Sequence, residues 1–367
     1  MFLTILIAFF SIIALFIIHE FGHFIVAKRF GIEVEEFGVG LPPRLFGKKI
    51  GGTLYSLNLL PFGAFVKIPS VEGGEGDLLR ESSEFKNIPI WQKALIILAG
   101  VVSFWLVGVI LLSVVFSLGT FQVISDEEPG PLVDPKVQIV AVAPGSPAET
   151  ADIKVGDTIA LLELKMKNEK LKITKVKEVQ DFTEINKGEE VVLTIERGKE
   201  IFEVSLVPRI SPPESEGAMG VALVRTAEKS YPIFQAFIKG VETTINLTQA
   251  IVVGLADVLV SLIKGKGLPP GVQFMGPIGI GSLVAQAVKV GLSYFLQFIA
   301  IISIYLAIFN LLPIPALDGG RLLFLGIEKI KGSPVNQKIE QNITAGFFIF
   351  FIALMIWVTI KDISRLF

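Results

Sequence analysis

Residues 2–29 read FLTILIAFFSIIALFIIHEFGHFIVAKR, and this stretch decides what kind of protein the chain can be. It holds the only two histidines of the 367-residue chain, His19 and His23, inside an apolar run of membrane length. Residues four apart share one face of a helix, so both imidazoles can bind one metal ion. Glu20, beside the first histidine, can then act as the general base on a metal-bound water.

A purely structural role is the alternative interpretation of the two histidines, in which each ring bonds to nearby backbone. Polar side chains within hydrocarbon are costly and usually functional, and here two histidines and a glutamate fall within about one and a half helical turns. On a helix, His19 lies about 13 Å before Lys28, the residue that marks the polar boundary. The clustering therefore favours a metal site below the lipid surface.

Composition restricts the classes of protein that need to be considered. Hydrophobic residues make up 51% of the chain and charged residues 19%, which indicates a membrane protein. Because there is no cysteine, disulfides, thiolate metal sites and cysteine nucleophiles are excluded. The net charge of −2 gives no indication of a nucleic-acid partner. The first lysine is Lys28, so the N-terminus lacks the basic region of a signal peptide and is predicted to be a retained membrane helix.

The apolar segments predict a polytopic α-helical membrane protein with about four transmembrane helices. Three segments clearly have bilayer length, and a fourth of the same character runs into two prolines. A further apolar segment, 231–263, is interrupted by charged and amide side chains, so we expect it to be an amphipathic helix at the membrane interface. The four expected spans are 2–27, 94–118, 292–312 and 343–360.

Charge distribution predicts the orientation of these spans. The loop between the first two holds nine lysines and arginines, and positive charge favours the cytoplasmic side. The N-terminus and the segment from about 120 to 290 are then extracytoplasmic. The metal site predicted on the first span is then expected within the membrane, toward the cytoplasmic side.

Two regions between the spans are predicted to contain β structure. Residues 50–69 are either a small cytosolic hairpin or a membrane-associated sheet whose edge accepts an extended peptide. Residues 125–225 alternate strand-like runs with turns and predict a compact, mostly β domain. The expected domains are 1–120 with the first two spans, 121–228 as the inserted domain, 229–290 as interfacial helix and linker, and 291–367 with the last two spans.

The third metal ligand must be a carboxylate, because no further histidine or cysteine exists. Asp318 is the best candidate, since Pro313 and Pro315 break the preceding helix and free backbone at membrane depth. The alternative for Asp318 is a helix N-cap, and both roles can coexist. Asn310 is either a helix–helix hydrogen-bonding residue or a donor to the substrate backbone or oxyanion.

These motifs together resemble the site-2 protease family of intramembrane zinc metalloproteases, most closely the bacterial regulator-of-sigma-E protease branch. The resemblance rests on His19–His23, on the motif Asn310-x-x-Pro-x-Pro-x-Leu-Asp-Gly-Gly, and on the inserted domain between them. The segments 275–280 and 322–332 are also similar to that branch. The inserted domain, of the α+β class, resembles a PDZ domain, and there is room for only one, whereas well-known enteric members carry two.

The resemblance implies that His19, His23 and Asp318 bind Zn²⁺ and that Glu20 is the catalytic base. It also implies that Asn310 and the 313–315 stretch help to bind the substrate strand. The expected substrates are single-pass membrane proteins, such as anti-sigma factors or signal-peptide-like segments, already trimmed by another protease. The competing hypotheses are a catalytically inactive membrane adaptor with a PDZ-like module and a metal-ion transporter.

Overall fold

The computed structural model describes residues 2–67, 88–128, 132–164, 169–198, 200–213, 216–268, 275–333 and 335–366. The chain forms two compact units, which we call the membrane unit (Met1–Ser117 with Pro232–Phe367) and the inserted unit (Leu118–Tyr231). In chain order the elements are α1 (Phe2–Arg29), β1 (Glu36–Ile50), β2 (Thr53–Lys67), α2 (Ile90–Leu118), β3 (Thr120–Ile124), β4 (Val133–Val142), α3 (Pro147–Thr150), β5 (Thr158–Leu164), β6 (Glu169–Lys172), α4 (Val176–Ile185), β7 (Val191–Arg197), β8 (Glu200–Leu206), β9 (Val221–Lys229), α5 (Ile233–Ile263), α6 (Pro277–Val290), α7 (Leu292–Leu311), α8 (Asp318–Lys331) and α9 (Gln337–Leu366).

Within the described residues, five helices are long and apolar enough to cross a membrane, which confirms a polytopic membrane protein but exceeds the expected count of about four. The additional helix is α5, for which we expected an interfacial position. α5 packs along α2: a side chain at Gly240 would collide with Val109 and Ser113, and Trp105 donates a 3.2 Å hydrogen bond to Thr248. Asn246, Gln249 and Asp257, which indicated an interfacial helix, are exposed on α5, so its interfacial position stays a prediction.

The helices that surround the histidines are held by close backbone approaches. α1 and α2 meet at Gly22, where a β-carbon would overlap the Ala99 carbonyl and the Ser103 hydroxyl. α7 joins α2 through a buried 2.8 Å hydrogen bond from the Ser303 hydroxyl to the Phe104 carbonyl. Together with Val284 of α6, these three helices share one buried apolar cluster. The histidine-bearing turn of α1 therefore packs closely against α2.

The membrane unit also holds a small sheet built from β1 and β2, each 15 residues long. Glu36–Val39 pairs with Leu54–Leu57 on one side and with Ala64–Lys67 on the other, while residues 44–50 pair with 53–58. The sheet begins earlier than the predicted 50–69 region, whose last two residues lie outside the described residues. Many of its large apolar side chains are exposed, including those of Leu45, Phe46, Ile50, Leu57 and Leu59.

The inserted unit is a seven-stranded sheet with two short helices and a core of its own. Its strand order is β3-β9-β4-β5-β7-β8, with β6 paired to β5. Asp157 is buried and accepts hydrogen bonds from the Arg197 guanidinium at 2.7 and 2.8 Å. Although burial would raise the pKa of Asp157, the Arg197 bonds and the Lys154 amide hold it below its usual value.

The last helix, α9, is tied to α6 by a buried carboxylate. Asp362 accepts hydrogen bonds from the Gly276 amide at 2.9 Å and the Gly279 amide at 2.7 Å. These amides belong to the first turn of α6, which has no intrahelical acceptors for them. A negative charge there is also favoured by the helix dipole. Asp362 thus serves as an N-cap supplied by another helix.

Candidate metal centre

Three side chains converge on one point inside the membrane unit. His19 Nε2 lies 3.3 Å from His23 Nε2, and Asp318 Oδ2 lies 3.3 Å from the first and 3.4 Å from the second. The three atoms form a nearly equilateral triangle. All three residues are buried, with exposed fractions of 6%, 4% and 8%.

This triangle has the size that a tetrahedral zinc site requires. Zinc binds histidine nitrogen and carboxylate oxygen at about 2.0–2.2 Å, so two tetrahedral ligand atoms lie roughly 3.3–3.5 Å apart. Asp318 Oδ2 is buried, and among the described residues no donor makes a hydrogen bond of acceptable geometry to it. A buried carboxylate oxygen without such a donor is costly unless it binds a cation. The residues present therefore fit a zinc ion.

Asp318 owes its position to the turn that follows α7. That helix ends at Leu311, and Ala316 has the positive φ of 84°, which is uncommon for a residue with a side chain. α8 starts at Asp318 with Leu317 as its N-cap residue, and no side chain makes a capping hydrogen bond there. The Asp318 carboxylate points to the histidines instead, which decides against the capping alternative.

Glu20 stands beside the triangle. One of its carboxylate oxygens and a ligand nitrogen from each histidine all lie within 4.8 Å of one another. These three groups could also hold a metal, but the Asp318 oxygen is closer to both nitrogens and completes a tighter site. Glu20 then lies beside this tighter ligand set without belonging to it.

A cavity of about 180 Å³ opens beside these groups, which is enough for several water molecules. Its polar lining comprises the histidines, the two carboxylates, an amide and a guanidinium. The lining residues are Phe16, His19, Glu20, His23, Val66, Asn310, Ala316, Leu317, Asp318 and Arg321.

Of the three predicted substrate-binding residues, one lines this cavity and two do not. Asn310 lines it, although its amide nitrogen also donates a 2.9 Å hydrogen bond to the Leu306 carbonyl of its own helix. Pro313 and Pro315 are not among its lining residues. Lacking amide hydrogens, they end α7 and form the turn that presents Ala316 and Leu317.

Sequence reasoning missed the contribution of α2, which forms one wall of the site. The Ile96 carbonyl lies 2.8 Å from His23 Nδ1 and orients that ring. The ring of Phe104 stacks on His19 with centroids 4.6 Å apart. A β-carbon at Gly100 would overlap both imidazoles. The only sequence signal was Gly100 itself, a glycine within a long apolar helix.

Val66 is the second feature that sequence did not identify. It belongs to the segment Ala64–Lys67, which pairs with Glu36–Val39 on one side and has no strand partner among the described residues on the other. Since Val66 also lines the cavity, a sheet edge runs into the site.

Comparisons with known proteins agree with this chemistry. The model for peptidase family M50 matches residues 7–354. The chain is 33% identical over 355 residues to the candidate zinc metalloprotease CPE1693 of Clostridium perfringens, covering 95% of each chain. It is also 28% identical over 450 aligned positions to the regulator of sigma-W protease RasP of Bacillus subtilis, covering all of both chains. These relatives span the membrane unit and the inserted unit together.

Proposed function

Because this chain belongs to peptidase family M50, the site-2 proteases, and is a zinc metalloprotease of the membrane, we propose that it cleaves single-pass membrane proteins within or beside their spans. The observation that carries the proposal is the 3.3–3.4 Å triangle of His19, His23 and Asp318 atoms next to Glu20. The triangle is buried between helices that are apolar enough to cross a membrane. This position supports access by a substrate that lies within the bilayer.

The residues divide the catalytic work between them. His19, His23 and Asp318 hold the zinc ion, and Ile96 and Phe104 fix the two imidazole rings. When bound, zinc lowers the pKa of a water molecule toward about 7 and polarises a carbonyl oxygen. Glu20 accepts the proton of the attacking water and then delivers it to the leaving amine nitrogen.

The sheet edge accounts for how a helical substrate becomes cleavable. A helix hides its carbonyl groups in internal hydrogen bonds, so the substrate has to unwind before cleavage. Pairing with Ala64–Lys67 as an added strand compensates for the backbone hydrogen bonds that are lost. Asn310, with the turn formed by Pro313 and Pro315, holds the opposite side of the extended segment.

The exposed side chains of the small sheet and the basic loop also support a location for the active site. Exposed apolar side chains on β1 and β2 would be unfavourable in water over so large a patch, which supports a sheet dipping into the lipid. The basic loop after α1 favours the cytoplasmic side for this sheet and for the active site. The inserted unit is then extracytoplasmic, in a bacterial inner membrane.

We assign the inserted unit the role of a PDZ-like substrate filter. β3 pairs with β9 only at residues 225–229, so residues 221–224 have no partner on that side among the described strands. α4 packs beside β9. An open strand edge beside a helix can accept an extended chain terminus, such as one exposed by an earlier cleavage.

Removing the filter should broaden cleavage to untrimmed substrates. Ile124 and Arg225 are directly paired, so residues 125–224 can be replaced by a short Gly/Ser turn that closes the β3–β9 hairpin. We expect this variant to cleave full-length and pre-trimmed substrates at similar rates, whereas the parent prefers the trimmed form. The measurement is the ratio of the two initial rates in proteoliposomes. An unchanged ratio would contradict the assignment.

The direct test of the function is cleavage of a model single-pass protein co-reconstituted with this chain, followed by mass mapping of the products. We expect one major cut within or beside the span, abolished by a zinc chelator and restored by added zinc. An inactive adaptor would bind the substrate without cutting it. A cut confined to a soluble loop would refute intramembrane proteolysis.

A further inference from the structure

Arg321 is a charged group in the cavity that the mechanism above does not use. It lies on α8 three residues after Asp318, and residues three apart share a helix face. Its side chain lines the same cavity as Glu20 and Asp318. Among the described residues that line this cavity, it is the only lysine or arginine.

The position calls for an explanation because a guanidinium is costly to keep in a partly buried site. Four of the lining residues are apolar: Phe16, Val66, Ala316 and Leu317. The aliphatic part of Arg321 adds to that apolar wall. Exposed surface charges are easily hydrated, whereas Arg321 is only half-exposed. A guanidinium has five N–H donors, so Arg321 can keep its contacts within the protein and still donate to a group that enters the cavity.

We propose that Arg321 is a catalytic residue that stabilises the negative charge on the scissile carbonyl oxygen of the substrate. This inference rests on the proposed function. When the water oxygen bonds to the carbonyl carbon, its proton passes to Glu20 and the C=O electron pair moves onto oxygen. The pair returns as the C–N bond breaks, and the amine nitrogen takes the proton from Glu20.

The other donors near the cavity are less suited to this task. The amide of Asn310 is neutral and already donates to the Leu306 carbonyl. A planar guanidinium carries its charge at any working pH and can donate two parallel hydrogen bonds to oxygen. A donor aimed at a developing oxyanion typically raises kcat by a factor of about 10²–10³.

The test compares Arg321→Gln and Arg321→Lys with Lys329→Gln, a charge-neutralising control at an exposed position of the same helix. We expect Arg321→Gln to keep full zinc content and a KM within about threefold of the parent, while kcat falls roughly 100-fold. Arg321→Lys should recover part of kcat, and the control should match the parent.

A binding measurement separates this role from positioning. A phosphinic peptide that mimics the tetrahedral state should bind Arg321→Gln more weakly by the same factor as the loss of kcat/KM. The uncut peptide, measured in a Glu20→Gln background, should bind equally with and without Arg321. Unchanged phosphinic-peptide affinity, or loss of zinc from both variants, would overturn the proposal. If the parent itself loads zinc but neither cleaves the substrate nor binds the phosphinic peptide, the proposed function fails instead.

Discussion

Glu20→Gln should retain zinc, and its rate of cleavage should fall about 10³-fold, because the amide cannot accept the proton of the attacking water. The substitution preserves the size of the side chain and leaves His19, His23 and Asp318 unchanged. Zinc content, measured by elemental analysis of the purified protein, should stay at one ion per chain. Product formation from the reconstituted single-pass substrate is the second measurement.

Glu33→Gln is the matched control, since it makes the same chemical change at an exposed position just after α1. It should cleave at the parental rate. Loss of zinc from Glu20→Gln would point to the alternative ligand set of His19, Glu20 and His23, and would remove Asp318 from its proposed role. Retained cleavage would show that another group accepts the proton.

Gly100→Ala should lose most of the bound zinc, and its rate of cleavage should fall at least about 100-fold, although the substitution adds a single methyl group. The new β-carbon would overlap the His23 ring and crowd the His19 ring. Neither ring can retreat freely, because His23 is tied to the Ile96 carbonyl and His19 is stacked on Phe104. A displacement of about 1 Å in a catalytic group is enough for an effect of this size.

Gly254→Ala on α5 is the appropriate comparison, because a β-carbon there meets no atom within 4 Å. It makes the same substitution within a helix and should leave zinc content and cleavage unchanged. Thermal unfolding of both variants in detergent would separate a local effect from global destabilisation. Gly100→Ala with normal zinc content and normal cleavage would show that α2 does not constrain the histidines.

Local sequence signals were sufficient for much of this protein. Long apolar segments predicted a polytopic membrane protein, which is confirmed, and the spacing of His19 and His23 predicted the zinc chemistry that the family membership supports. Both signals are local, because hydropathy and helical spacing act within one element. The interfacial position of 231–263 stays a prediction, because α5 is long and apolar enough to span a membrane and yet keeps Asn246, Gln249 and Asp257 exposed.

The metal-ligand roles of His19, His23 and Asp318 remain proposals, but the structure adds what their sequence positions cannot give. His23 and Asp318 are separated by almost 300 positions. Elimination required only a carboxylate, and the prolines before Asp318 and the family resemblance selected that residue. Their 3.4 Å separation depends on the turn around Ala316 and on the start of α8. Likewise, the hydrogen bond that the Asn310 side chain makes among the described residues is to Leu306 of its own helix, not to another helix, while its place in the cavity fits the substrate-binding interpretation, which stays a proposal.

The sequence by itself determined that this chain spans a membrane and carries two histidines and a glutamate on one helical turn, because those properties depend only on residue order within a helix. The tertiary structure decided which distant groups meet them: the Ile96 carbonyl, Gly100 and Phe104 from α2, Val66 from a sheet edge, and Asp318 with Arg321 from α8. Contacts between elements depend on packing and on backbone turns, which no local pattern encodes.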